Sequence, residues 1–221
     1  PPPSRSPPHP PPPRLRARAL LAYLAAGANR PHPRVVLAAL LWPDWPERSA
    51  RTNLRNSLSS LRTAIGDRHA TPPYLLISRE TIQFNAASDY WLDVEAFGTC
   101  VQADREERPA TPCLEEAMDL DRGRFLEGFS IPDSAAFEDW ASLTRERLEQ
   151  LASTAFDRLI HKQERQGALA LATEYARRWV ELEPWQERAH QRLMRLLALS
   201  GERSAALAQY NACRRFLAEE L

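Results

Sequence analysis

A chain of 221 residues, 43% hydrophobic and 26% charged, is long enough to bury a real core and suits one or two domains. Three cysteines, Cys100, Cys113 and Cys213, are odd in number and far apart, and the five histidines are scattered, which excludes a disulfide framework or a zinc site and fits reduced intracellular thiols. No apolar run approaches the roughly 18 residues of a membrane span and no signal peptide is visible, so a cytoplasmic protein without a membrane partner is expected.

The formal net charge of +0 argues for nothing by itself, but it conceals a partition. Residues 14–85 carry 11 arginines against 4 acidic side chains, whereas residues 86–221 carry 17 basic against 25 acidic ones. A basic front and an acidic rear imply that only the front meets a polyanion. Lys162 is the only lysine, so the abundance of arginine can reflect codon composition and is weak support alone.

Residues 1–13 hold nine of the 19 prolines, a composition that forms neither helix nor sheet ladder and is expected to be a disordered, polyproline-like lead. From Arg14 the pattern turns helical, with Leu15, Ala19, Ala22 and Ala26 on one face, Leu20, Tyr23 and Leu24 beside it, and Gly27 closing the helix. Arg30-Pro31-His32-Pro33 reads as a turn and Val36–Trp42 as a shorter apolar helix, broken by Trp42-Pro43-Asp44-Trp45-Pro46. The organising stretch follows: Ser49–Gly66, SARTNLRNSLSSLRTAIG. At 100° per residue Leu54, Leu58, Leu61 and Ile65 form a narrow apolar stripe. Arg48, Arg51, Arg55 and Arg62 flank it, and Thr52, Asn56 and Ser59 continue round the outer face. Such a helix suits a major groove, where small polar side chains allow close approach, arginines reach phosphates or guanine edges, and asparagine pairs with adenine. A solvated amphipathic helix explains the same residues, and the element that follows favours the groove. Tyr74–Ser78 and Thr81–Asn85 read as two strands with Arg79-Glu80 as the tip. Three helices and then a hairpin with arginine at its tip is the order of a winged helix, whose wing reaches a minor groove or the backbone.

The rear is helical throughout. Residues 104–112, with Pro109 and Pro112, form a linker, Leu114–Leu120 is a helix, and Pro132-Asp133-Ser134 caps a long helix carrying Phe137, Trp140, Leu143, Leu148 and Leu151. A shift of 34 residues aligns Phe156 with His190, Leu159 with Leu193, Ile160 with Met194, Gly167 with Gly201, Leu171 with Ala205 and Ala172 with Ala206. That is the tetratricopeptide period. Two such units cannot bury their faces alone, so helices at 114–151 are expected to complete the stack, with Trp179, Trp185 and Tyr210 as packing residues. The fold class expected is mainly α: a winged helix (three helices plus a β-hairpin) over residues 14–98, then a tetratricopeptide-like helical repeat domain over 99–221.

No nucleotide-binding loop, serine-centred elbow, HExxH or paired-cysteine motif occurs, and acidic runs such as Glu115-Glu116 read as solvated faces. The chain is therefore expected to be no enzyme, to hold no metal and to need no cofactor. LLAYLAAGANRPHPRVVLAALLWPDWPERSARTNLRNSLSSLRTAIGD, then YLLISRETIQFN and WLDVEAF, resembles the winged helix of the Streptomyces antibiotic regulatory protein family. CLEEAMDLDRGRFLEGF, DSAAFEDWASLTRERLEQL and the two repeats resemble the bacterial transcriptional activator domain that follows it there. The resemblance implies a transcriptional activator that binds double-stranded DNA at direct repeats, with a homodimer as one arrangement, and helps recruit RNA polymerase. It implies a polymerase-contact loop at Trp42, Asp44, Trp45 and Glu47, and that some relatives continue into an ATPase module. One departure is the proline-rich residues 1–13, where the family has a small opening sheet. The DNA-contact residues expected are Arg48, Arg51, Thr52, Arg55, Asn56, Ser59, Arg62 and Arg79. The alternative function is a protein-binding scaffold module whose winged helix no longer reads DNA.

Overall fold

The computed structural model describes residues 15–105, 113–120 and 123–220. The proline-rich lead of 1–13 and most of the expected linker at 104–112 lie outside the described residues. The elements run α1 (Leu15–Ala26), β1 (His32–Pro33), α2 (Arg34–Leu41), α3 (Glu47–Ala64), β2 (Leu75–Ile77), β3 (Thr81–Phe84), α4 (Asp93–Arg105), α5 (Cys113–Leu120), α6 (Ala135–Arg165), α7 (Leu169–Leu182), α8 (Glu187–Leu199) and α9 (Arg203–Glu220). The fold is mainly α, a winged helix followed by helical repeats. Two compact units share the chain: one comprises residues up to Leu92 together with Leu126–Leu143, the other Asp93–Phe125 and Thr144–Leu221. The sequence reading divides the chain once, at 98/99; in the structure the first unit also takes in residues 126–143.

In the first unit α3 buries Leu54, Leu58 and Leu61 of the expected keel and, beyond it, Ala50, while Ile65 is its half-buried C-cap. Gly66 follows at φ +70, a value that favours glycine. Gly66 N–H donates to Thr63 O at 3.3 Å and Asp67 N–H to Arg62 O at 3.0 Å, a Schellman closure that ends the helix. The face of α1 differs from expectation: Ala17, Leu20 and Leu24 are buried with Ala19, whereas Leu15 and Ala26 are exposed. The reason is a second neighbour absent from a simple wheel. Besides α2, α3 and β3, α1 meets residues from 126–143: Tyr23 lies 4.8 Å from the Trp140 ring, and Arg16 donates to Pro132 O at 3.0 Å. Phe137 and Ala141 are fully buried in this same core and Ile131 nearly so. The Ser134 hydroxyl donates to Leu40 O at 2.5 Å, so the expected cap residue ties α2 down with its side chain and leaves only its backbone carbonyl to start α6.

The hairpin pairs Leu75 with Phe84, Leu76 with Gln83 and Ile77 with Ile82, which places Leu75, Ile82 and Phe84 inward on the two-residue period. A third strand joins it. Sequence reasoning makes 30–33 a turn, but His32 and Pro33 pair with Ile82 and Thr81, giving the order β1-β3-β2. Pro33 has no N–H to donate, which confines this strand to the sheet's edge and to two residues.

The second unit closes around Phe156 and Trp179, stacked at 5.8 Å and 6°. Ala152, Ala155, Ala172, Ala176 and Ala189 are buried where helices approach closely. The repeat is visible in its turns: Gly167 (φ +75) and Gly201 (φ +83) close α6 and α8 with the same pair of backbone bonds. Where the first repeat has Phe156 the second has His190, 4% exposed, with one ring nitrogen 2.9 Å from Pro184 O and the other 2.6 Å from Gln209 Nε2. Between α6 and α8, Asp157 meets Arg188 and Arg192 at 2.7 Å each, and Glu164 meets Arg195 at 3.2 Å. Trp179 Nε1 and the Ser153 hydroxyl both donate to the buried Glu183 carboxylate, at 2.9 and 2.8 Å. Trp179 is core as expected; Trp185 is 40% exposed beneath the Arg124 guanidinium, and Tyr210 is 52% exposed.

His32 supplies a pH test. It is buried edge-on to the Tyr23 ring at 5.0 Å, and desolvation, then the nearby Arg30 charge, hold its pKa below the ordinary 6.5. The unfolded chain therefore binds the proton more readily, so stability present above pH 6.5 declines as pH falls below it, down through the depressed folded value. Urea midpoints should drop between neutral pH and pH ~5 in the native protein. His32→Gln should flatten that slope; an equally steep profile in the variant would assign it to other groups.

Candidate nucleic-acid interface

The outer face of α3 is built by what its inner face buries. With Leu54, Leu58 and Leu61 against the core, Arg48, Arg51, Thr52, Arg55, Asn56 and Ser59 are all exposed, within roughly 140° of arc at 100° per residue. Glu47 sits in the first turn, where a carboxylate complements the helix dipole, and pairs with Arg51 at 2.7 Å. Both partners are more than half exposed, so this (i, i+4) pair contributes only about 0.3–0.5 kcal/mol. Thr52 donates its hydroxyl back to Arg48 O at 3.0 Å. Among the described residues the side chains of Arg48, Arg55, Asn56 and Ser59 make no hydrogen bond or ion pair of their own; Arg48 and Ser59 are engaged only through their backbone carbonyls, by Thr52 and Thr63.

Arg62 does not join this set. Its Nε donates to Asp67 Oδ2 at 2.7 Å, and the Asp67 side chain is fully buried. The other carboxylate oxygen, Oδ1, accepts the Leu75 N–H at 2.9 Å. One carboxylate thus links the last turn of α3 to the first residue of the hairpin. On the sequence alone Asp67 is a stop signal and Arg62 a groove contact; nothing in helical periodicity separates a flank arginine that reaches out from one that folds back.

Arg79 stands exposed at the wing's tip. The tip lacks the glycine or asparagine that two-residue turns prefer, and Ser78 compensates. Its hydroxyl accepts the N–H groups of Glu80 and Thr81 at 3.1 and 2.8 Å. The sequence reading also missed Arg34, which opens α2. Its backbone N–H donates to Glu80 O at 2.8 Å and its Nε to Ser78 O at 3.1 Å, bracing the wing from behind. A serine just before a two-residue tip was a usable signal for the turn; for Arg34 there was none, since the contact spans the sheet.

The α2–α3 loop divides. Trp42 is buried, with the Arg16 guanidinium 5.6 Å from its ring centre, so it packs inward. Asp44, Trp45 and Glu47 are exposed. Among the described residues no group of histidine, cysteine, aspartate and glutamate is arranged to hold a metal ion, and no helix is long and apolar enough to cross a membrane.

Residues 92–221 match the family model of the bacterial transcriptional activator domain. The chain belongs to that family. The activator-domain stretch begins beside α4 and takes in residues 126–143, whose side chains complete the core of the winged-helix unit. Among solved structures the chain is similar to Mycobacterium tuberculosis EmbR in complex with a low affinity phosphopeptide, with a TM-score of 0.63 and 22% identity over 94% of this chain and 55% of that one. This activator-domain chain therefore spans about half the length of that structure's chain, and the likeness is one of fold. No curated protein matches the sequence.

The two kinds of arginine on α3 should separate in stability. Arg62→Ala leaves the Asp67 carboxylate buried with one donor lost and should cost about 1–3 kcal/mol in urea denaturation. Arg48→Ala and Arg55→Ala should stay within about 0.5 kcal/mol of the native protein. Similar losses in all three would refute the distinction.

Proposed function

We propose that the chain is a sequence-specific DNA-binding transcriptional activator. The observation that carries this reading is the exposed face of α3, with two arginines and an asparagine free of intramolecular partners, beside a wing braced by Arg34, in a member of an activator-domain family. In this reading α3 enters the major groove with Arg48, Arg51, Thr52, Arg55, Asn56 and Ser59, and Arg79 reaches an adjacent minor groove. Arg62 serves the fold. The exposed Asp44, Trp45 and Glu47 form the contact to RNA polymerase, while Trp42 holds the loop from within. Two protomers on direct repeats fit this arrangement. The acidic second unit contributes few phosphate contacts, since like charge is repelled and attraction is screened within about 8 Å at physiological salt.

A gel shift of the full chain on its own upstream DNA, at several salt concentrations, is the test. Arg55→Ala and Asn56→Ala should each cost about 1–3 kcal/mol on the specific site and relax preference at one position. Equal losses on specific and random DNA would demote both to phosphate contacts. Arg79→Ala should weaken binding and reduce the salt slope by about 1, whereas a turn arginine pointing into solvent would leave both unchanged. Absence of any shift at low salt, with a folded protein, would favour the scaffold-module alternative.

A further inference from the structure

His32 is buried in the first unit without the company a charged ring would need. Among the described residues its buried Nε2 has no hydrogen-bond partner, and a β-carbon at Gly27 would stand 3.1 Å from it, so the ring lies tight against that turn. The Tyr23 ring of α1 closes over it edge-on. The titratable and charged groups around it are the Tyr23 phenol, Arg30 in the turn and Arg34 at the head of α2, while β3 sets uncharged Ile82 and Thr81 against its strand. None of these is a carboxylate. Burial and then Arg30 work against a proton on the ring, and only the Gly27 backbone works for it. A histidine so placed is neutral while it stays inside and takes a proton readily once it is out.

What the ring holds is the edge of the wing. Strand β1 meets β3 only through the pairs His32–Ile82 and Pro33–Thr81, and of its two residues His32 alone has an N–H to donate. Arg34 follows, and its bonds to Glu80 O and Ser78 O fix the tip that carries Arg79. Pro31 and Pro33 leave the backbone on either side of His32 few alternatives, so a displacement there is passed along the chain and not absorbed. Detaching this edge disturbs less apolar packing than opening the core around Leu20, Leu54 and Leu61, which makes it the lower-energy route for the ring to reach water.

We propose that His32 is a proton-operated latch on the wing: its ring, once protonated, leaves its site, β1 parts from β3, and the Arg34 brace on the tip goes with it. The inference rests on reading α3 and the wing as a DNA-binding surface, and it gives that surface a regulation in which acid weakens binding. Since the ring titrates below 6.5 when closed and near 6.5 when released, each pH unit within that window promotes opening by up to about tenfold. The sign is distinctive. An exposed histidine such as His69, just beyond α3, gains charge in acid and draws a polyanion closer, so affinity without the latch would rise.

Hydrogen–deuterium exchange of the full chain without DNA, at pH ~7.5 and ~5.5 and with each rate divided by its intrinsic rate, is the first readout. Opening at His32, Arg34 and residues 78–83 should rise about threefold or more at the lower pH, while α1 and α3 keep their protection. Neither His32→Gln nor His32→Phe can take the proton, and in either the rise should vanish. Fluorescence anisotropy on the chain's own upstream DNA is the second readout. Native affinity should fall about threefold or more over the same interval, and the fall should be absent in His32→Gln and in Arg79→Ala. An equal rise in exchange throughout α1 and α3 would make the opening global and overturn the latch. So would a wing whose exchange ignores pH, or native binding that holds or tightens in acid. A chain that binds no DNA at either pH refutes the DNA-binding reading instead, and exchange still decides the latch.

Discussion

The carboxylate of Asp67 holds the candidate interface together. One oxygen takes the Arg62 guanidinium at the end of α3 and the other takes the Leu75 N–H at the start of the wing. The side chain is fully buried, so neither bond is shared with solvent and losing either partner leaves a desolvated charge. A groove-reading helix and a wing are useful only if their mutual geometry is set before the nucleic acid arrives, since any ordering deferred to binding weakens it. Asp67 sets that geometry from one side and Arg34, holding the tip carbonyls, from the other. The edge pairing of His32 and Pro33 with β3 completes a hairpin fixed at its base, its edge and its tip.

The second unit uses charge differently. Asp157 and Glu164 on α6 receive Arg188, Arg192 and Arg195 from α8 in a partly exposed network, which sets the register of one helix against another more than it adds stability. Its apolar core follows the repeat, with alanines at the crossings and a stacked aromatic pair, Phe156 and Trp179, that the second repeat replaces by buried His190 and Cys213. His190 keeps its ring satisfied by Pro184 and Gln209, so a polar residue stands at an aromatic position without an unmet donor or acceptor.

The legible parts of the sequence were those governed by local period. The keel of α3, the two strands of the hairpin and the glycine-closed repeats follow from spacing alone, since each is decided within one or two turns of chain, whereas the hairpin's register, with no glycine or asparagine at the tip, does not. What escaped depended on distant partners. Arg62 and Arg55 are equivalent on a helical wheel, and only the position of Asp67 beyond the helix end divides them. Trp42 and Trp45 lie three residues apart in one loop, yet Arg16 and the core claim the first and not the second. Strand β1 is two residues long and proline-containing, so no alternation could announce it. Trp179 and Tyr210 look alike as repeat aromatics, and whether each is buried depends on what lies against its helix.

Residues 126–143 carry a consequence for how the molecule is made. Ile131, Phe137 and Ala141 belong to the same apolar core as Leu20, Leu54 and Ile82, although the chain visits Asp93–Phe125, a part of the other unit, in between. During synthesis the helices and wing leave the ribosome first, and their core lacks Ile131, Phe137 and Ala141 until the start of α6 has also emerged. Until then the Tyr23 ring lacks Trp140 and the Leu40 carbonyl lacks the Ser134 hydroxyl. The same interleaving bears on inheritance: a recombination that transferred the winged helix as a contiguous gene segment would strip Phe137 and Ala141 from its interior. The two halves are thereby bound to travel together.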